Sequence, residues 1–361
     1  MAPPMLPDIP QALTLEQLRE YIPQIPPVPA DSARPFWSVM IPAYNRVTYL
    51  EQTLQSVLQQ DPGPDQMQIA VVDNASTEGN VQEVVQKVGK GRVEYYRNPR
   101  NLGSVPNHNM CVRHSRGHWV QILHDDDVVM PGYYEAYRQT IERHDEVITV
   151  AGKAIHFDQQ GRWQRIVGED PNGGGLIEDF SQRARETNRL IVSATAVKRA
   201  AYERIGGWCE IYELLAWDMW IRLAAAGPAA GTCRPYLLYR RYPESEWGRG
   251  MLTTARIREG YQITVAGCER IHGSPLDSKL LRQCRSRWAA HAINLGRQCH
   301  KKGMLQSRMD FARYAWKLER SRKTAKFLVK SWAAWLPKRW SSRKTGFGPP
   351  PVSAAPSSVG R

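Results

Sequence analysis

Between residues 37 and 143 the chain alternates short runs of β-forming residues with stretches of helical periodicity, and this alternation narrows the fold more than any other feature. Strand-like runs cover 37–41, 68–72, 93–96 and 119–123. A helix follows each. The first has Leu50, Leu54, Val57 and Leu58 on one face and Asn45 or Thr48 as its expected cap, and the second runs through Val81, Val84, Val85 and Val88. Further helices are expected over 106–115 and 132–143. Repeated strand–helix units predict an α/β, Rossmann-like, mostly parallel sheet with flanking helices, in which ligands bind at the carboxyl ends of the strands.

Two of those strand ends carry carboxylates. The run at 68–72 ends on Asp73, and the apolar run from Trp119 is followed, after His124, by Asp125, Asp126 and Asp127. Three adjacent like charges repel and cost solvation free energy if buried, so packing alone does not ask for them. A hard cation bound to a phosphate does, since Mg²⁺ or Mn²⁺ shares oxygen ligands between carboxylates and a substrate diphosphate. An exposed acidic turn would also hold three aspartates, but the preceding strand and the second carboxylate-ended strand favour a nucleotide site.

The net charge of +14 is unevenly spread: residues 271–361 carry 20 Lys/Arg against Asp277, Asp310 and Glu319, a net of +17, leaving −3 for residues 1–270. A basic extension on a near-neutral body attracts polyanions, either anionic lipid or nucleic acid. No nucleic-acid recognition motif accompanies the charge, so no nucleic-acid partner is expected. Six cysteines show no CxxC spacing, which points to reduced thiols and a cytoplasmic setting. The first ten residues have no secretory pattern and no window is apolar enough for a spanning helix.

Outside the alternating region, residues 1–35 hold nine prolines and one short helical candidate, 13–22, and read as an extended arm or a partly disordered leader. Strands are expected over 147–157 and 162–167. Asn172, Gly173, Gly174 and Gly175 read as a flexible connector, since a phosphate loop would need a following Lys-Ser/Thr. Helices over 198–205 and 218–226 stop at glycines. The expected organisation is an arm (1–35), a catalytic domain (36–250, with a nucleotide-binding half 36–135 and an acceptor-side half 136–250), a helical basic extension (251–345) and a disordered tail (346–361).

Four motifs in order, Val39-Met40-Ile41-Pro42-Ala43-Tyr44-Asn45-Arg46, Val72-Asp73-Asn74-Ala75-Ser76, Asn101-Leu102-Gly103 with Asn109, and Leu123-His124-Asp125-Asp126-Asp127-Val128 with Pro131-Gly132, resemble the family 2 glycosyltransferases. A further match, Gly206-Gly207-Trp208 and Trp217 to Leu223, extends the resemblance to about residue 245. The resemblance implies a GT-A fold and an inverting, metal-dependent transfer of a sugar from a nucleoside-diphosphate donor, UDP- or GDP-linked, to a hydroxyl acceptor that is a glycan or lipid-linked. It further implies that Pro42, Ala43, Tyr44, Arg46 and Asn101 line the nucleotide-sugar pocket and that Asp73 accepts a hydrogen bond from the base. Asp126 would lie beside the ribose, Asp125 would help form the acidic site, and Asp127 would carry Mn²⁺ or Mg²⁺.

The chain departs from that family's pattern at three places. His108, in Asn107-His108-Asn109, stands where an arginine is common, leaving the phosphates to Arg46 or Arg100. Tyr239-Arg240-Arg241-Tyr242 lacks the histidine of the usual Tyr-Arg-x-His. Ala216 occupies the position most often credited with the catalytic carboxylate, so Asp218 becomes the expected base, with Glu213 nearby and a purely structural helix-terminal role for Asp218 as the competing reading. These losses also motivate a different class: a catalytically impaired protein that binds a nucleotide sugar or carbohydrate. A nucleotidyltransferase would need a basic glycine-rich loop after the first strand, which Pro42-Ala43-Tyr44-Asn45 does not supply. His124 reads as a strand-end histidine bonded to backbone or as a ligand, Trp217 as a sugar platform or a core anchor, and Trp220 as core.

Residues 321–344 hold eight Lys/Arg and no acid. On a helix, Phe327, Leu328, Val329, Trp332, Trp335 and Leu336 are expected to form one broad apolar side, with Trp340 near the end. Tryptophans among cationic side chains suit the headgroup zone of an anionic bilayer. The expectation is a peripheral position on the inner face of the cytoplasmic membrane, suited to cell-envelope or polysaccharide synthesis; a helix packed on the body is the alternative.

Overall fold

A computed structural model describes residues 14–169, 174–186, 189–212, 215–242, 253–272 and 277–343. The expected disordered tail at 346–361, most of the connector from Asn172, and Glu213 lie outside the described residues. The chain divides into two compact units, Met1–Met251 with Ala255–Cys284, and Leu252–Thr254 with Arg285–Arg361.

The first unit is built on a ten-stranded mixed sheet. Strands β1 (Trp37–Ala43), β2 (Met67–Asp73), β3 (Glu94–Arg97) and β4 (Trp119–Ile122) are mutually parallel in the order β3-β2-β1-β4. All residues of β1, β2 and β4 are buried, as both-faced coverage by helices requires. Helix α2 (Val47–Leu58) supplies Leu50, Leu54 and Val57 to the core, and α3 (Val81–Gly89) supplies Val81 and Val85. Helix α4 (Ser104–His114) precedes β4, the short strand β5 (Val128–Val129) follows the triplet, and α5 (Tyr133–Arg143) comes next.

The rest of the sheet arrives later. Strands β6 (Thr149–Phe157) and β7 (Trp163–Val167) form an antiparallel pair. After β8 (Gly175–Leu176) and α6 (Phe180–Glu186), the strand β9 (Thr195–Lys198) inserts antiparallel between β4 and β6. Helices α7 (Arg199–Ile205) and α8 (Leu215–Ala226) lead to β10 (Ala229–Arg240), which pairs parallel with β6 and antiparallel with β5. Helix α9 (Thr254–His272) packs on α8 closely enough that a Cβ on Gly267 would stand 2.7 Å from the Ile221 side chain.

Several expectations need correcting here. Neither Asn45 nor Thr48 caps α2: its N-cap is Arg46, with no side-chain cap bond, and Thr48 is already inside the helix. Strands β9 and β10 were not expected from the sequence. Gly175 is not a loop residue but pairs with Gly231 of β10.

The described part of the N-terminal arm lies on the first unit. Helix α1 (Leu15–Arg19) opens with a capping box between Thr14 and Gln17. Beyond it Ile22 and Ile25 are buried, and the carbonyls of Tyr21, Pro23 and Pro26 accept hydrogen bonds from Glu210, Gly207 and Arg199.

The second unit is helical: the later part of α10 (Ser278–Lys301), α11 (Leu305–Leu318) and α12 (Arg322–Arg343). Trp288, Ile293, Met309, Phe311, Ala315 and Phe327 are buried in it. Helix α12 does not have the single apolar side expected. Phe327 and Ser331 turn inward, whereas Val329 and Trp332 are 64% and 55% exposed. The side chain of Trp340 lies outside the described residues. Among the described residues no helix is long and apolar enough to cross a membrane.

Candidate active site

Parallel register puts the ends of β1 and β2 side by side, Ala43 opposite Asp73, while β4 on the other flank of β1 ends just before the triplet. The loops leaving these strands are tied together by side chains. Asn45 adopts φ +52°, a left-handed conformation that asparagine tolerates, and its Oδ1 accepts from the Thr77 and Glu78 amides at 2.7 and 3.1 Å. The Asn45 amide donates to Ser76 Oγ at 3.0 Å, and Ser76 donates in turn to Asp73 Oδ1 at 2.6 Å.

Asp73 is wholly buried and heavily engaged. Its Oδ1 also accepts from the Ser76 amide, and its Oδ2 accepts from Tyr95 Oη at 2.7 Å and from the Arg97 guanidinium. Asn101 lies at the neighbouring loop, where its Oδ1 accepts from Asn74 at 2.8 Å and from the Gly103 amide at 2.9 Å. Pro42 and Ala43 are buried at the end of β1, and Tyr44 is 41% exposed beyond them.

The triplet is not an exposed turn: Asp125, Asp126 and Asp127 are 4%, 7% and 1% exposed. Arg46 reaches across from the β1 loop and donates to Asp125 Oδ1 at 3.2 Å and Asp126 Oδ2 at 3.0 Å. The Tyr44 amide points at Asp125 Oδ2, 3.4 Å away. Asp127 Oδ2 accepts from Ser193 Oγ at 2.6 Å, and its Oδ1 accepts from the Arg240 amide at 3.0 Å. Tyr242, which stands where the resemblance leads one to expect a histidine, donates its hydroxyl proton to Asp126 Oδ2 at 2.6 Å. Arg240 Nε bonds the Asp126 carbonyl, and its Nη2 bonds Gln52 of α2.

Burial dominates the electrostatics. It pushes the Asp125 carboxyl up to about 8, helped by the Asp126 charge and opposed by Arg46. Burial and Asp126 likewise raise Asp127 well above the usual carboxylate range, against the hydrogen bonds from Ser193 and Arg240. Burial, with a contribution from His108, depresses His124 to about 4, so its imidazole is neutral in ordinary buffers.

Arg46 pairs with the carboxylates of Asp125 and Asp126 but not with that of Asp127, and a divalent cation would supply further positive charge to the buried triplet. One ligand atom each from His124, Asp126 and Asp127 lie within 4.8 Å of one another. Two carboxylates suit a hard cation, and the added imidazole nitrogen favours Mn²⁺ over Mg²⁺, which takes mainly oxygen. The residues present therefore fit the metal expected from the sequence.

Residues 38–206 match the family model described as glycosyl transferase family 2. The chain carries a family 2 glycosyltransferase domain. Sequence relatives include an uncharacterised Mycobacterium tuberculosis protein, 26% identical over 249 residues, which are 65% of this chain and 76% of the relative. An uncharacterised glycosyltransferase of Haemophilus influenzae is 32% identical over 110 residues, covering 30% of this chain and 36% of that protein. The fold is similar to that of Staphylococcus aureus TarS residues 1–349, solved with UDP-GlcNAc, at a TM-score of 0.56 and 13% identity over 86% of this chain and 92% of that one. The first unit thus has the GT-A architecture.

The structure brings Tyr44, Arg46, Asp125 and Asp126 into direct contact, places Asp127 beside them on Ser193 and the Arg240 amide, and links Asp73 to Asn45 through Ser76. Asp218 is engaged elsewhere. It is buried in α8, where its Oδ2 accepts from Arg222 Nε at 2.7 Å, and Arg222 also donates to the carbonyls of Ile205 and Gly207. Trp217 is a core residue whose Nε1 bonds the Ala184 carbonyl at 2.7 Å, and Trp220 packs edge-on against Trp208. Of the two readings of His124, the ring sits beside His108 and Asp127. Ser193, Arg97 and Gln52 were not anticipated, because tertiary packing and not local sequence brings them to the aspartates and to Arg240.

Proposed function

We propose that this protein transfers a sugar from a nucleoside-diphosphate donor to a hydroxyl acceptor, with inversion at the anomeric carbon. The observation that carries the reading is the meeting of a buried aspartate triplet with Arg46 at the carboxyl ends of β1 and β4. In this reading Pro42, Ala43 and Tyr44 line the nucleotide pocket, with Asn101 shaping its rim. Asp73 accepts from the base, exchanging one of its present donors for it. Asp125 and Asp126 hold the ribose side, Asp127 with His124 holds the cation, and Arg46 faces the diphosphate. When bound, Mn²⁺ or Mg²⁺ neutralises the charge that builds on the departing diphosphate. The acceptor oxygen forms the new bond to the anomeric carbon as the bond to the diphosphate oxygen breaks; the nucleoside diphosphate leaves with that electron pair, and the hydroxyl proton passes to a base, a carboxylate or solvent water.

Asp218 is proposed as a structural residue and not as the acceptor of the hydroxyl proton, because its ion pair with Arg222 ties α8 to the turn at Gly206 and Gly207. A UDP-linked donor is the first to test, since TarS binds UDP-GlcNAc in a similar fold. A lipid-linked or envelope glycan acceptor at the inner face of the cytoplasmic membrane is proposed from α12, whose exposed Val329 and Trp332 lie among the exposed Lys326 and Lys330.

The test is a mass-spectrometric screen of nucleotide sugars for transfer or donor hydrolysis with and without Mn²⁺, with Asp127→Ala as control. Metal-dependent turnover that Asp127→Ala abolishes supports the reading. A second reading, a nucleotide-sugar binding protein without turnover, is motivated by the alanine at position 216 together with the Asp218 ion pair. Tight donor binding with no turnover for any donor would select it.

A further inference from the structure

Two histidines adjoin the triplet, His124 from the end of β4 and His108 from α4. His108 Nδ1 lies 2.8 Å from the carbonyl oxygen of Ser104, one helical turn earlier. A carbonyl only accepts, so that nitrogen carries a proton. His108 Nε2 lies 3.4 Å from His124 Nε2, and two imidazole nitrogens facing each other share a single proton. In a neutral His108 the shared proton belongs to His124, because His108 already has its own on Nδ1. His124 Nδ1 is then left with its lone pair, and this is the nitrogen 3.7 Å from Asp127 Oδ2. The His108 ring is held for this task. It is buried, and its ring meets Trp208 and His124 edge-on at centroid distances of 5.8 and 5.5 Å.

We propose that His108 is a positioning residue for the cation: it fixes His124 as the Nε2–H tautomer, so that Nδ1 is the ligand atom presented beside Asp126 and Asp127. The inference rests on the metal reading above. A ligating imidazole ordinarily gives its other N–H to a carboxylate, a carbonyl or water, and loss of that acceptor costs about 10–100-fold in metal affinity. Here a second imidazole is the acceptor.

The experiment uses the full chain and Mn²⁺ alone as probe. Nitrogen-15 spectra of the metal-free protein with both rings neutral should show the His124 proton on Nε2 and the His108 proton on Nδ1. His108→Phe keeps a ring against Trp208 but removes the acceptor, and Mn²⁺ titration followed by electron paramagnetic resonance should show Kd rising about 10–100-fold. His108→Gln, whose amide oxygen accepts, should lose much less, and melting curves verify that both variants are folded. Unchanged Mn²⁺ affinity in folded His108→Phe, or a His124 proton on Nδ1, overturns the inference. If Asp127→Ala abolishes Mn²⁺ binding while His108→Phe leaves it intact, this inference falls and the metal reading stands. No Mn²⁺ binding by the unmodified chain overturns both.

Discussion

At position 218 a carboxylate that both proton chemistry and packing could claim is held by Arg222, with side chains only 7% and 2% exposed. Removing one partner of such a pair strands a buried charge, which costs about 3–5 kcal/mol. Asp218→Asn should therefore lower the unfolding free energy by about that amount in urea titrations. Turnover per folded molecule should keep its order of magnitude, against the ~10²–10⁴-fold fall of a lost general base. A fall of that size in a variant of unchanged stability would return proton abstraction to Asp218. The triplet makes a different prediction. Asp125 is raised from 3.8 to about 8, chiefly by burial and Asp126, so the folded protein keeps a proton that the unfolded chain has already released. By linkage, the metal-free protein loses stability as pH rises through that window. A divalent cation beside the triplet favours the ionised carboxylates and so opposes the loss. The Mn²⁺-induced rise in melting temperature should be larger at the top of the window than in its lower half, and a thermal-shift series over pH checks it.

Among the elements, what the sequence disclosed and what it hid follow from the range of the interactions involved. Strands β1, β2 and β4 and helices α2 and α3 were legible because their buried residues recur at local spacings, and Asp73 and the triplet were legible as charges out of place after apolar runs. Strand β10 was not. Its run contains Gly231, Arg234 and Pro235, and its register against β6 shifts twice between Gly231 and Leu237, so no alternation survives in the sequence. The partners of the aspartates were hidden with it, since Ser193 and Arg240 lie 66 and 113 residues from Asp127. The cap of α2 misled for a related reason: Asn45 spends its side chain on the loop after β2. In the second unit, α10 and α12 approach at Gly296, where a Cβ would stand 2.8 Å from the Phe327 ring. Gly296→Ala should cost about 1–3 kcal/mol through overpacking, more than alanine's helical preference returns. Loss of thermal stability confined to the second unit, read by hydrogen exchange over α10 to α12, is the expected signature.

For the molecule as a whole, the charge map and the two faces of α12 point the same way. The last ninety residues, which hold the basic excess, include a helix that buries Phe327 on one side and exposes Val329 and Trp332 on the other. Replacing both exposed residues, Val329→Ser with Trp332→Ser, should leave the melting temperature nearly unchanged, because neither is core. Co-sedimentation with phosphatidylglycerol vesicles should drop several-fold, and added salt should weaken what remains by screening the lysines. Equal binding by the double variant would remove α12 from the membrane reading.

The lateness of β10 has a consequence in time as well as in space. Arg240 and Tyr242 complete the surroundings of Asp126 and Asp127, yet they follow the triplet by more than a hundred residues. At ~5–20 residues per second, a ribosome takes roughly 6–23 s to cover that interval. Throughout it the nascent chain holds three aspartates with only Arg46 to balance them, and Ser193 joins part-way. The first four parallel strands can pair as they emerge, but the acidic pocket closes only when the last strand of its sheet arrives, so the site is assembled at the end of the domain's synthesis and not at its beginning.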